Sequence, residues 1–187
     1  DLGKSDNFQL SPKAALQFRH LRLGAIGIFL YVGAEVAIGS FIVNYLGEAS
    51  IAGMKEAEAS NYLTYYWGGA MVGRFIGAAL LRMFSPGKVL ACAAGMTITL
   101  LLVSANTSGM VSGWALLAVG LFNSIMFPTI FSLACEGLGE RAAEGSGLIC
   151  MAIVGGAIVP LLTGHAADAV GLKMALLVPV VCYALIL

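Results

Sequence analysis

Two side chains able to bind or move protons lie one helical turn apart in an otherwise apolar stretch. The stretch is YVGAEVAIGSF, residues 31–41, and the two side chains are those of Tyr31 and Glu35. An ionised acid at the centre of a bilayer costs about 2.5 kcal/mol or more, so Glu35 should face other helices, pair or stay protonated. We therefore predict either an interhelical hydrogen bond that fixes packing or a polar wall beside a cavity.

A second polar group lies further along, where Asn123 and Phe127 share a helical face at i, i+4. The amide of Asn123 offers two donors and an acceptor, which suits a ligand rich in hydroxyl groups, and the adjacent ring would extend that platform. Pro128 frees the backbone carbonyl of Ser124, which predicts a kink. In the alternative interpretation, Asn123 and Ser124 hydrogen-bond a neighbouring helix and the aromatic side chains pack against lipid.

The composition indicates the environment in which these groups work. Hydrophobic residues make up 59% of the 187 residues, charged residues make up 11%, and the mean hydropathy is +0.92. Soluble domains carry about 25% charged residues, so the sequence predicts a membrane protein. The formal net charge is zero, so no overall basic or acidic character suggests nucleic acid or an acidic partner.

Six apolar runs have about the length that crosses a hydrocarbon core, which takes about 20 helical residues. They are residues 23–46, 61–84, 88–105, 113–138, 146–165 and 172–187. Apolar spans are helical unless they form a closed barrel, and these runs lack the alternation of barrel strands. The predicted fold class is therefore all-α, a polytopic membrane protein with six transmembrane helices. The last run rises only about 24 Å, so we expect its helix to be truncated.

The positively charged residues predict the orientation in the membrane. If the leading segment is cytoplasmic, seven of them lie in inside loops and two in outside loops. The inside residues are Lys4, Lys13, Arg19, Arg22, Arg82, Lys88 and Arg141, and the outside residues are Lys55 and Lys173. Because cytoplasmic loops are enriched in lysine and arginine, this distribution favours a cytoplasmic leading segment.

Catalytic and metal-binding patterns are absent from the sequence. Ser146 and His165 form the one serine–histidine pair suited to an intramembrane hydrolase, but they begin and end the same run, about 28 Å apart. There is no HExxH motif and no P-loop. The four cysteines, at positions 92, 135, 150 and 182, lack metal-ligand spacing and are interpreted as packing residues. We expect no enzyme activity, no cofactor and no metal site.

Four segments, in order, carry a family resemblance. They are YVGAEVAIGSFIVNYLG, YYWGGAMVGRFIGAALLRMFSPGKVLA, GLFNSIMFPTIFSLACEGLG and GGAIVPLLTGHAADAVGLKMALLVPVVCYALI. Together they resemble the C-terminal half of the fucose:proton symporter family, within the major facilitator superfamily, and especially its bacterial glucose/galactose transporters. The resemblance runs from about residue 21 to the end of the sequence.

The resemblance implies that the six helices are equivalent to helices 7–12 of a twelve-helix transporter. Residues 1–22 would be the cytoplasmic end of the central loop, and residues 23–187 the C-terminal transmembrane half. The implied partners are a small-molecule sugar, a coupling ion that we expect to be a proton, the lipid bilayer and an N-terminal six-helix half. That other half holds the family's coupling carboxylates. The implied location is the cell membrane, with the bacterial inner membrane expected.

The same resemblance turns the polar side chains into candidate sugar contacts. They are Asn123, Glu35, Phe127 and Tyr31, with modulation of proton movement as a second role for Glu35. Pro128 becomes a candidate gate, because a kinked helix could bend during alternating access.

Arg74 lies in GGAMVGRFIGAALLRMFSPGK, which resembles the region before a cytoplasmic loop whose glycine and arginine residues latch one conformation in the superfamily. The sequence departs from the fuller pattern, since no acid lies between Arg74 and Lys88. We therefore expect the partner of Arg74 to come from another segment, with Glu136 or Glu144 as candidates. A sugar contact and a snorkelling cation are the alternative roles.

The expected function is that of the C-terminal half of a secondary active sugar transporter that works by symport and alternating access. The sugar stays open between glucose, galactose and fucose, and the ion between a proton and another cation. Two alternatives remain: a non-transporting membrane fragment or disrupted gene product, and a half-transporter that acts as a dimer.

Overall fold

Six long helices make up most of the chain in a computed structural model that describes residues 17–187. They are α1 Arg19–Gly47, α2 Glu56–Met83, α3 Pro86–Asn106, α4 Met110–Cys135, α5 Ala142–Val170 and α6 Leu172–Ile186. Each predicted apolar run falls on one of these helices. The prediction of an all-α fold with six helices is therefore confirmed.

Four of the helices, α1, α3, α4 and α5, are long and apolar enough to cross a membrane. Helix α6 is apolar but shorter, and α2 is 28 residues long but less apolar, with acidic residues in its first turn. These helices make the chain a multi-pass membrane protein. Of the predicted cytoplasmic segment, residues 1–22, the first sixteen lie outside the described residues.

Helices α4, α5 and α6 are each interrupted. Helix α4 consists of Met110–Asn123 and Met126–Cys135, α5 of Ala142–Ala152 and Gly155–Val170, and α6 of Leu172–Ala175 and Leu177–Ile186. Proline has no backbone N–H and collides with the carbonyl four residues earlier. In α4 that carbonyl belongs to Ser124, which lies in the interruption, as the position of Pro128 predicts.

Helix α1 lies at the centre of the bundle and contacts α2, α4, α5 and α6. Its buried side chains include Ile28, Ile38 and Ile42. Lipid tails are as apolar as these side chains, so the association of the helices depends on close packing and interhelical hydrogen bonds. The positions where backbones approach one another therefore matter most for this fold.

Helix α2 approaches α4 along a stripe of glycines, Gly69, Gly73 and Gly77. A Cβ atom at Gly73 would collide with the backbone carbonyl oxygen of Leu121, and one at Gly77 would lie 2.5 Å from Cγ1 of Ile125. The spacing of four residues predicts close helix packing, and in the structure these glycines allow α2 to pack closely against α4.

We expect Gly73→Ala to lower the free energy of unfolding by about 2 kcal/mol, because the added methyl group forces α2 away from the α4 backbone. Gly68→Ala is the matched control, since a Cβ at Gly68 meets no atom within 4 Å. Unfolding by SDS in mixed micelles would measure both variants. Equal stability of the two would show that the helices do not depend on this contact.

A buried hydroxyl cluster joins α1, α3 and α4 at the end of the bundle away from the α2–α3 loop. The Tyr45 hydroxyl donates to the Ser104 carbonyl at 2.9 Å and lies 2.7 Å from Oγ of Ser112. Oγ of Ser112 donates to the Ser104 carbonyl at 2.6 Å, and Oγ of Ser104 donates to the Ser112 carbonyl at 2.9 Å. All three hydroxyl groups have protein partners, so this cluster serves packing.

Candidate functional site

Asn123 is the centre of a hydrogen-bonded cluster inside the bundle. Its side chain is 0% exposed. The Tyr183 hydroxyl of α6 donates to Oδ1 of Asn123 at 2.8 Å, and Nδ2 of Asn123 donates to the Tyr66 hydroxyl of α2 at 3.1 Å. Both the nitrogen and the oxygen of the amide are therefore bonded to tyrosines on other helices, as buried polar groups require.

The interruption of α4 gives this cluster a further acceptor. Because the first segment of α4 ends at Asn123, its backbone carbonyl can accept a bond from outside the helix. The Tyr31 hydroxyl of α1 donates to that carbonyl at 2.8 Å. The Tyr66 hydroxyl donates in turn to the backbone carbonyl of Glu35 at 3.5 Å. Helices α1, α2, α4 and α6 thus meet at one asparagine.

Glu35 lies at the margin of this cluster, where it is half-buried. Its carboxylate is next to the Tyr31 hydroxyl, and its cationic neighbour is the guanidinium of Arg74 on α2. Arg74 is exposed on the surface of α2, beyond ion-pair distance from Glu35. The two side chains lie on helices that contact each other.

The other predicted site residues are Glu136, Pro128 and Phe127. Glu136 is exposed just beyond the end of α4 and is not within ion-pair distance of Arg74. Pro128 is exposed. Phe127 is half-buried, with its ring centroid 6.4 Å from that of Tyr31. Phe127 also stacks on Phe131, at 6.2 Å between centroids.

Asn123 and Phe127 therefore do not form one open platform in this conformation. The amide of Asn123 is directed towards Tyr66 and Tyr183, whereas the ring of Phe127 packs beside Tyr31. The predicted interhelical hydrogen bond of Asn123 is present, and its contact with a sugar stays a prediction. The same holds for the latch between Arg74 and Glu136 and for the gating role of Pro128.

Sequence reasoning overlooked Tyr66 and Tyr183, which supply the partners of the amide. Both are fully buried. A signal was available, because a tyrosine inside an apolar span must place its hydroxyl against a hydrogen-bonding partner. The sequence does not state which partner, since the two tyrosines come from helices distant from Asn123 along the chain.

Known proteins are similar to this chain along almost its whole length. No family model matches the chain. It is 57% identical over 186 residues to a glucose/galactose transporter of Brucella abortus (biovar 1, strain 9-941), covering 98% of this chain and 45% of that protein. It is 44% identical over 192 residues to a putative glucose/galactose transporter of Helicobacter pylori strain J99, covering 100% of this chain and 47% of that protein.

The fold agrees with the sequence comparison. The chain matches the crystal structure of FucP, a major facilitator superfamily transporter, in its outward conformation, with a TM-score of 0.90 and 40% identity. The match covers 98% of this chain and 45% of that one. The chain belongs to this family of glucose/galactose and fucose transporters. It is a family of transporters and not of enzymes, as the sequence predicts.

The relatives of this transporter chain are longer than the chain itself. The L-fucose-proton symporter of Escherichia coli K12 is 40% identical over 184 residues, and the match covers 98% of this chain but only 42% of the symporter. The chain thus spans about half the length of the curated relatives it matches. We therefore give its substrate, its coupling ion and the other half of the transporter only as proposals.

Proposed function

We propose that this chain is one six-helix half of a hexose symporter and forms one wall of its sugar pathway. In this proposal, residues 23–187 are equivalent to helices 7–12 of the transporter, and residues 1–22 form the cytoplasmic end of the central loop. The support is the 57% identity to a glucose/galactose transporter, against 40% to a fucose-proton symporter. We therefore propose glucose or galactose as the sugar, a proton as the coupling ion and the bacterial inner membrane as the location.

The observation that carries this proposal is that two ionisable side chains, Glu35 and Arg74, lie within the long helices α1 and α2. Glu35 lies about 18 Å along α1 from residue 23, close to the bilayer centre. A charge at that depth costs several kcal/mol in lipid, so such side chains face a protein interior or a water-filled pathway. Glu35 is half-buried and Arg74 is exposed, which places both at an open face of the bundle.

Among the predicted sugar contacts, Glu35 and Phe127 are the accessible ones. Tyr31 and Asn123 are buried and hold the wall together in this conformation. Their contact with sugar remains a proposal that requires the cluster to open. Pro128, beside the interruption of α4, is the proposed site of bending during such a change.

A chimera tests the proposed function without any assumption about the ends of this chain. The chain would replace the matching 45% of the Brucella abortus glucose/galactose transporter. Cells or liposomes with the chimera should take up labelled glucose or galactose in preference to fucose, and a proton gradient should increase that uptake. The chain alone and the rest of the Brucella protein alone are the controls, and both should be inactive.

The other outcomes separate the alternatives. Uptake by the chain alone would replace the proposal with a dimeric half-transporter. A chimera that reaches the membrane and takes up none of the sugars would favour a non-transporting fragment. Uptake that is equally fast without a proton gradient would refute the proton as the coupling ion, and the proposed sugar would stand.

A further inference from the structure

The exposed face of α2 contains an open groove. Its volume is about 610 Å³. It is lined by Trp67, Ala70, Met71, Arg74, Phe75 and Ala78. All six residues belong to α2, so the groove is open on the side away from this helix. Its volume lies within the range of about 300–1,000 Å³ that is typical of small-molecule sites.

Arg74 indicates that this face of α2 is not turned towards lipid. Arg82 carries the next positive charge along α2 and lies near the predicted cytoplasmic end of the helix. Arg74 lies eight residues before it, about 12 Å deeper in the membrane at 1.5 Å per residue. A guanidinium at that depth is costly in lipid. The face that carries it therefore borders a polar space or another protein segment.

Trp67 lies on the same face as Arg74, seven residues earlier, which is two helical turns. Its indole lies beside α1, since an added Cβ at Gly39 would be 3.6 Å from Cζ2 of Trp67. The ring of Tyr66 is nearly perpendicular to the indole, with centroids 5.1 Å apart and an interplanar angle of 81°. The indole remains 50% exposed, so its orientation is held while a large part of its surface is open.

We propose that Trp67 stacks on the sugar while Arg74 binds the sugar's hydroxyl groups, so that this face of α2 is a substrate subsite. A hexose has an apolar ring face of C–H groups and a rim of hydroxyls. An indole can stack on the apolar ring face, and the fixed N–H donors of a guanidinium can bind the hydroxyl groups. This inference rests on the proposed function.

A second groove, of about 360 Å³, lies between α2, α3 and α4, but its lining does not suit a sugar. It is formed mostly by apolar side chains such as Ile76, Leu80, Phe84 and Phe122. Hydroxyl groups buried there would lose their bonds to water without replacement.

The chimera described above tests the subsite. We expect Trp67→Ala to raise the KM for galactose about tenfold with little change in Vmax per transporter, because the loss of an aromatic contact of about 1.4 kcal/mol changes affinity tenfold. Trp67→Phe keeps an aromatic ring and should raise KM by less than about threefold. The matched control is Trp114→Ala, which removes a tryptophan of similar exposure, 46%, on α4. It should leave KM unchanged.

Three results would overturn the inference. The first is an equal KM for Trp67→Ala and Trp114→Ala at equal amounts in the membrane. The second is a loss of Vmax without a change in KM, which would indicate a structural role for Trp67. The third is an identical response of tryptophan fluorescence when the purified parent chimera and its Trp67→Phe variant are titrated with galactose. That titration also distinguishes a failure of this inference from a failure of the proposed function. If the chimera binds galactose but does not take it up, the proposed transport function is refuted and the sugar subsite stands.

Discussion

Replacing Asn123 with alanine should lower the free energy of unfolding by about 3 kcal/mol, because the buried Tyr183 hydroxyl loses its acceptor and the buried Tyr66 hydroxyl loses a donor. The Tyr183 hydroxyl loses the acceptor that lies 2.8 Å away, and the Tyr66 hydroxyl loses a donor at 3.1 Å. Both tyrosines are fully buried, so neither hydroxyl can turn to water. Unfolding by SDS in mixed micelles would measure the loss.

Two further variants make this prediction specific. Asn106→Ala is the matched control, since Asn106 is exposed and its Nδ2 donates only within its own helix, to the Leu102 carbonyl at 2.8 Å. It should change stability by less than about 0.5 kcal/mol. Tyr183→Phe removes one donor to Asn123 and should cost about 1 kcal/mol. An Asn123→Ala chain as stable as Asn106→Ala would show that the cluster does not hold the four helices together.

The same variant also tests the predicted sugar contact of Asn123. In the chimera, a role limited to packing lowers the amount of folded transporter and leaves its KM for galactose unchanged. A direct contact with sugar raises KM in the fraction that folds, because buried polar recognition groups are costly to leave unpaired. Undiminished affinity would remove Asn123 from the substrate site.

Replacing Arg74 with glutamine should reduce uptake by more than about tenfold and also destabilise the chain. The neutral side chain removes the cationic neighbour of Glu35. An ionised Glu35 would then be uncompensated, at a cost of about 2.5 kcal/mol or more in the membrane. If the two charges compensate each other, the double variant Glu35→Gln with Arg74→Gln should be more stable than Arg74→Gln alone. Its uptake should stay low, because Arg74 is also proposed to bind the sugar.

A second double variant tests Glu136, instead of Glu35, as the partner of Arg74. The latch predicted from the sequence pairs Arg74 with Glu136, so Arg74→Glu with Glu136→Arg should restore uptake if that pair forms in another conformation. Glu136 is exposed and separate from Arg74 in this structure. No gain in stability from the Glu35 double variant would refute the pairing of Arg74 with Glu35. Restored uptake after the Glu136 exchange would refute the sugar contact of Arg74, because the guanidinium is then absent from position 74.

The sequence alone was sufficient for the features that depend on local pattern. The length and apolarity of each run determine where helices cross a bilayer, since backbone groups in lipid must bond within their own segment. Pro128 predicted the interruption at Ser124, because a missing N–H acts on a carbonyl four residues away. The glycines of α2 predicted a close approach for the same local reason, since they recur on one helical face.

Only the tertiary structure decided which polar groups meet. The amide of Asn123 was a candidate for a sugar or a neighbouring helix, and the packing of α2 and α6 supplies Tyr66 and Tyr183 as its partners. In the same way, the contact of α1 with α2 places Glu35 near Arg74 and orients Trp67 against Gly39. Helical periodicity determines which residues share a face, but the neighbour of that face depends on packing between segments distant along the chain.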